Sequence, residues 1–238
     1  MSQAISDVQA PARSWHQIAA ALDHTLFKPE ANRDQIIQLS EEGIAFGFAA
    51  VCVNPCWISL VASIVHGTPV KVASTIGFPL GANLTSIKRF EAHEAVRLGA
   101  QELDMVMNIG ALKSGDRKLV QTEIESVAKI VHNHGAIVKV ILEAPLLSLE
   151  EKILSCQLCL AAKADFVKTA TGFAGIATVE DVALLRGVVG DQAGVKASGG
   201  IRTATAASAM LDAGADRIGT SSSVAIMKEL GAPEFSSR

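Results

Sequence analysis

The feature that most constrains this chain is a repeated unit: a short apolar run, a small polar or Gly-rich break, then an amphipathic helical pattern. Eight runs qualify as strands: Ala21–Asp23, Ala49–Asn54, Val70–Ile76, Leu103–Asn108, Val138–Glu143, Phe166–Thr169, Val195–Ala197 and Arg217–Gly219. Helical patterns follow them, among others over Arg33–Phe46, Ile87–Leu98, Lys118–His134 and Leu149–Ala162. Within the third of these, Val120, Ile124, Val127 and Val131 recur at i, i+3 and i+4 spacing and share one helix face. Thr178 and Thr203 stand where helix N-caps belong. Strand–helix alternation implies a parallel sheet, and eight strands is the number that closes into a TIM (β/α)8 barrel. An open doubly wound sheet is the alternative, but no G-x-G-x-x-G follows the first run. The expected fold is α/β: a single TIM barrel domain over residues 1–238, with a short N-terminal helix at Trp15–Ala20 beneath it. Residues 234–238 are expected to be a tail.

Composition supports this where it bears on the core. Apolar residues make up 49% and aromatics only 4%. A core of Ala, Val, Ile and Leu suits strands buried on both faces. A net charge of −3 gives no reason to expect nucleic acid or an anionic membrane as partner. No run approaches the length of a membrane span, and no signal pattern opens the chain, so a cytoplasmic location is expected. Cys156 and Cys159 have C-x2-C spacing, but inside a helical stretch without a second ligand pair. They are expected to be small buried hydrophobes, not metal ligands.

In a TIM barrel the active site lies at the C-terminal ends of the strands. Asp23 ends the first run and precedes His24 and Thr25; the second carries Cys52 and Asn54, the fourth Asp104 and Asn108, the fifth Glu143. Lys168 and Lys196 stand in the sixth and seventh runs, each a lone ammonium in an apolar strand. A single such lysine is usually paired or reaches solvent. Two on adjacent strands, about 4.8 Å apart, disfavour each other's protonated form. A neutral amine can attack a carbonyl, so the pair suggests a Schiff-base nucleophile beside an activating cation. Asp104 could anchor one ammonium and move protons, or form a plain ion pair. Gly199-Gly200 after the seventh run and Gly219-Thr220-Ser221-Ser222 after the eighth occupy the usual phosphate position of such barrels, and Gly172 offers another close backbone approach. Ser221 and Ser222 could donate hydroxyls or simply cap a helix.

Several segments then resemble the deoxyribose-phosphate aldolase family. They are Leu22-Asp23-His24-Thr25-Leu26, Val51-Cys52-Val53-Asn54-Pro55, Ile76-Gly77-Phe78-Pro79-Leu80-Gly81, Glu102-Leu103-Asp104-Met105-Val106, Asn108-Ile109-Gly110-Ala111-Leu112-Lys113-Ser114-Gly115, Phe166-Val167-Lys168-Thr169 and Val195-Lys196-Ala197-Ser198-Gly199-Gly200-Ile201-Arg202. The match runs in order from about Leu22 to Met227. The resemblance implies Lys168 as the Schiff-base lysine, Lys196 as the lysine that depresses its pKa, and Asp104 as the proton-relay carboxylate. It places Asp23, Cys52 and Thr169 near the substrate, and Gly172, Gly199, Gly200, Ser221 and Ser222 at its phosphate. The implied reaction is reversible cleavage of 2-deoxy-D-ribose 5-phosphate to D-glyceraldehyde 3-phosphate and acetaldehyde. No metal and no organic cofactor is implied, and a homodimer is. The chain has no Tyr, so the C-terminal tyrosine that some members use for enamine protonation is missing. Protonation then falls to Asp104, Lys196 and water. Competing expectations are another phosphosugar barrel (a different lysine aldolase, or an isomerase), a metal-dependent aldolase, and a catalytically dead binding barrel. An isomerase has no need of paired lysines, and the six histidines are too scattered for a metal site.

Overall fold

The computed structural model describes residues 13–235. Each apolar run is a strand: β1 (Leu22–Leu26), β2 (Ala50–Val53), β3 (Lys71–Ile76), β4 (Glu102–Val106), β5 (Ile137–Ile141), β6 (Phe166–Lys168), β7 (Gly194–Ser198) and β8 (Arg217–Thr220). Every neighbouring pair is parallel, and β1 pairs with both β2 and β8, so the sheet closes in sequence order. Closure removes the unpaired edges that an open sheet would expose. The helices are α1 (Trp15–Ala19), α2 (Arg33–Phe46), α3 (Ile58–Val65), α4 (Thr85–Arg97), α5 (Ile109–Lys113), α6 (Arg117–His132), α7 (Leu149–Ala161), α8 (Val179–Val189), α9 (Ala204–Asp212) and α10 (Ser223–Glu229). No helix among the described residues is long and apolar enough to cross a membrane.

Local chemistry explains the boundaries. Ser14, Asn32 and Ser148 form capping boxes on α1, α2 and α7, and Thr178 and Thr203 cap α8 and α9 through their side chains. Each cap satisfies a backbone N–H that the helix leaves without a partner. Val120, Ile124, Val127 and Val131 of α6 are all fully buried against the barrel. Cys156 and Cys159 are buried in α7, and burial raises both thiol pKa values, that of Cys156 to about 12.

One expectation needs correction. The first strand does not end at Asp23 but runs on to Leu26, because His24, Thr25 and Leu26 pair with Val51, Cys52 and Val53. Its polar residues resemble a break in the sequence, yet each finds a partner: His24 Nε2 lies 2.7 Å from Glu42 Oε2 of α2. Phe235 packs against the main core, its ring 6.4 Å from that of Phe46. Residues 236–238 lie outside the described part.

The main apolar core fills the space between barrel and helices. A second, small cluster of Ala50, Cys52 and Ala73, with Phe27 against it, sits on β2 and β3. Ala50 is in register with Asp23, and Ala73 with Glu102, so these small residues share the inner face with charged ones. Small side chains on this wall leave room for long ones from the opposite wall.

Candidate active site

Alternation along a strand decides which side chains enter the barrel. Glu102 and Asp104 are two apart on β4; Lys139 on β5 is in register with Asp104. Lys168 is in register with Lys196, and Lys196 with Arg217. The pleat therefore delivers seven charged groups to one interior: Asp23, Glu102, Asp104, Lys139, Lys168, Lys196 and Arg217.

Asp104 lies at their centre. Its Oδ2 accepts from Lys168 Nζ at 2.6 Å and from Lys196 Nζ at 2.7 Å, while Oδ1 accepts from Lys139 Nζ at 3.2 Å. Burial pushes the Asp104 carboxyl up, but Lys139, Lys168 and Lys196 together hold it well below the usual carboxylate range. Asp23 is likewise held low against burial, by Lys196, Lys139 and Arg217. The two catalytic candidates on β6 and β7 then part company. Burial lowers the pKa of Lys168, and Lys196 lowers it further, against the opposing pull of Asp104. Burial also lowers Lys196, but Asp104 and Asp23 outweigh it and raise the net value. The structure thus pairs one lysine inclined to lose its proton with one inclined to keep it.

A cavity of about 390 Å³ opens above this network. Lys168 is the only one of the seven groups that lines it. Asp104, Lys196 and Asp23 lie beneath, as does Cys52, whose thiol is buried and pushed up to about 12 by desolvation, with Asp104 adding to the rise. Asp23, expected at a strand end, is instead the second residue of β1, and it ion-pairs with Lys196 and Arg217. Thr169 does not line the cavity. Its hydroxyl donates to the Ser198 carbonyl at 3.0 Å and accepts from Ser198 N–H at 3.0 Å, tying β6 to β7. Ser222 does not reach the cavity either; it begins α10 without a side-chain cap, its N–H donating to Thr220 Oγ1 at 2.9 Å.

Gly172, Gly199, Gly200 and Ser221 all line the cavity. Gly199 and Gly200 have φ of 105° and 76°, and a Cβ on Gly200 would come within 2.6 Å of Ile176 Cγ2. Only glycine adopts this path cheaply, and the path brings bare backbone to the cavity wall. The Gly172 loop is braced by buried Glu143, whose carboxylate accepts from Thr171 N–H at 3.1 Å and Thr171 Oγ1 at 2.5 Å.

Several contributors were not recognised from sequence. Lys139, Glu102 and Arg217 belong to the buried network, and Lys28 and Arg202 line the cavity as cations. The available signal was period two: Glu102 with Asp104, and Lys139 in an otherwise apolar run. Phe27 and Phe173 line the cavity, and both pack against Phe78, with centroid distances of 4.8 Å and 5.4 Å.

Similarity to known proteins agrees with this geometry. A model of the DeoC/LacD aldolase family matches residues 17–229. A deoxyribose-phosphate aldolase of Thermoanaerobacter sp. (strain X514) is 56% identical over 214 residues, covering 89% of this chain and 96% of that protein. One from Thermococcus gammatolerans is also 56% identical, covering 89% and 95%. Among solved structures, an aldolase designated QR15 superposes with a TM-score of 0.85 at 43% identity, covering 89% of this chain and 95% of that one. The tetrameric deoxyribose phosphate aldolase of Aeropyrum pernix gives 0.86 at 34% identity, covering 92% of each. With eight parallel strands, a lysine at the cavity floor and this match over most of its length, the chain belongs to the DeoC/LacD family of aldolases.

Proposed function

We propose that this single barrel domain is an aldehyde-lyase. It reversibly cleaves 2-deoxy-D-ribose 5-phosphate to D-glyceraldehyde 3-phosphate and acetaldehyde through a Schiff base on Lys168. The observation that carries the reading is the shared oxygen: Lys168 and Lys196 both donate to Asp104 Oδ2, at 2.6 Å and 2.7 Å, and Lys168 alone of the three lines the cavity.

The chemistry follows from those positions. Neutral Lys168 attacks C1 of the open-chain sugar, and the carbinolamine loses water to give a protonated imine. The C3 hydroxyl gives up its proton and the C2–C3 bond breaks. Its electron pair flows into the imine to leave an enamine on Lys168, and glyceraldehyde 3-phosphate departs. Protonation at C2 and hydrolysis of the resulting imine release acetaldehyde and restore the amine. Asp104 Oδ2, hydrogen-bonded to both amines, would pass protons between Lys168 and Lys196. Lys196 keeps a positive charge beside the developing imine, favouring the neutral amine before attack.

Gly172, Gly199, Gly200 and Ser221 would hold the phosphate through backbone N–H groups and a hydroxyl, with Arg202 and Lys28 supplying charge at the same cavity. Asp23, Cys52, Thr169 and Ser222 would act from outside the cavity, by shaping the network and loops that line it. A homodimer and a cytoplasmic location belong to the same proposal. Exposed Leu80, Leu84, Ile87 and Phe90 lie close in sequence around the start of α4, a surface suited to self-association that sedimentation would test. For the chemistry, borohydride reduction in the presence of acetaldehyde should add an N-ethyl group to the wild-type chain at Lys168. The Lys168→Leu variant should stay unmodified. An unmodified wild-type chain would refute the covalent route.

A further inference from the structure

The charges inside the barrel, all buried except the partly buried Arg217, do not balance. Lys139, Lys168, Lys196 and Arg217 face only Asp23, Glu102 and Asp104. Each carboxylate is already shared: Asp23 pairs with Lys139, Lys196 and Arg217, Glu102 with Lys139 and Arg217, and Asp104 with all three lysines. None has reason to bind a proton, and a guanidinium does not lose one. An unbalanced charge away from water is costly, and a buried group relieves it by becoming neutral. The relief must therefore come from a lysine.

The pairing pattern says which one. Lys139 meets three carboxylates and Lys196 meets two. Lys168 meets one, and shares that oxygen with Lys196. Neighbouring elements supply nothing to rescue its proton. Cys52 on β2 is a buried neutral thiol, and β3 brings Ala73 and Thr75 to the same register. Glu143 beyond β5 is committed to Thr171 and ion-pairs with none of the four cations. Lys28 and Arg202 at the mouth add positive charge.

We propose that this excess of one cation keeps Lys168 unprotonated, and that Arg217 and Lys139, which do not line the cavity, are positioning residues that maintain the excess. The inference rests on the Schiff-base reading and deepens it: Lys196 alone does not free the amine, the count of the whole interior does.

The test is one of sign, read from the acid limb of the pH profile of kcat/KM, which reports the free enzyme. Arg217→Gln leaves three cations and three carboxylates. Lys168 then keeps its proton, the limb moves up by about one unit or more, and activity on the acid side of the limb falls by about tenfold per unit and is regained at higher pH. Glu102→Gln raises the excess to two, and the limb moves down. The double variant restores an excess of one and returns the limb to near its wild-type position, although it carries two lesions. The substrate phosphate titrates identically throughout, so differences report the protein. A loss that is flat across pH in Arg217→Gln, or a double variant no better than the single, overturns the proposal. Should Arg217→Gln fail to fold, Glu102→Gln decides: a downward limb supports the proposal, and an unmoved or upward one overturns it. Borohydride trapping of the wild type separates the two readings. No trapping removes the Schiff base, whereas trapping with unmoved limbs removes only the charge-count explanation.

Discussion

Two buried lysine sites in this molecule invite comparison. Lys88 in α4 is as deeply buried as any lysine of the barrel, and donates to Glu123 Oε2 of α6 at 2.7 Å and to the Val106 carbonyl at 2.9 Å. Burial lowers its pKa as well. Yet this pair balances one to one, Thr85 braces Glu123 at 3.1 Å, and Lys88 is not among the residues lining the cavity above the barrel. Lys168 has one shared carboxylate oxygen and an open face. The lesson is that desolvation alone does not make a nucleophile. What separates the sites is imbalance of neighbouring charge and access to a cavity.

The largest effect is expected of Lys168→Leu. It should lower kcat/KM by at least about 10⁴-fold while the protein stays folded, since loss of a covalent nucleophile removes the route itself. Asp104→Asn should cost about 10²–10⁴-fold in kcat, measured by acetaldehyde release, because one group both holds and relays the protons. Lys88→Met should act on the other axis. Leaving Glu123 buried without its cation should destabilise the fold by about 3–5 kcal/mol in a denaturant titration, with kcat per folded molecule unchanged. A Lys88→Met/Glu123→Leu double variant should recover much of that loss, short of the Val106 carbonyl left without its donor.

Acid should weaken the barrel's own charge network. Asp23 and Asp104 have folded pKa values below the ordinary carboxylate value of 3.8. The unfolded chain therefore binds more protons in acid, so their contribution is full above 3.8 and is lost as pH falls toward their folded values. Stability measured by urea titration should decline with falling pH through that range, and Asp104→Asn should show a shallower decline than wild type. The smallest effect belongs to the mouth. Arg202→Gln should raise KM for the phosphorylated sugar by about tenfold, the equivalent of about 1.4 kcal/mol for a charge-assisted hydrogen bond, with kcat little changed.

How much of this was legible in the sequence follows from the same contrast. Strand–helix alternation shows itself in the order of apolar runs, and the caps at Thr178 and Thr203 sit in the sequence beside the helices they begin. Lys168, Lys196 and Asp104 are visible as polar residues in apolar strands. Arg217, Glu102 and Lys139 were not recognised because their meaning lies in partners far along the chain. Arg217 meets Asp23 across 194 positions, and Lys139 meets Asp104 across 35. Only closure and register reveal that these side chains occupy one interior. Asp23 was misplaced for a related reason: the polar residues after it look like a loop until β2 supplies their hydrogen bonds.

The most direct measurement is the pH dependence of imine formation itself, followed as the initial rate of borohydride-dependent labelling of Lys168 by acetaldehyde. A buried amine flanked by excess positive charge should reach its full rate well below the ordinary lysine value of 10.5. A rate that keeps climbing until the solution passes 10.5 would show that Lys168 titrates as an unperturbed side chain, with no effect from burial or from the neighbouring cations.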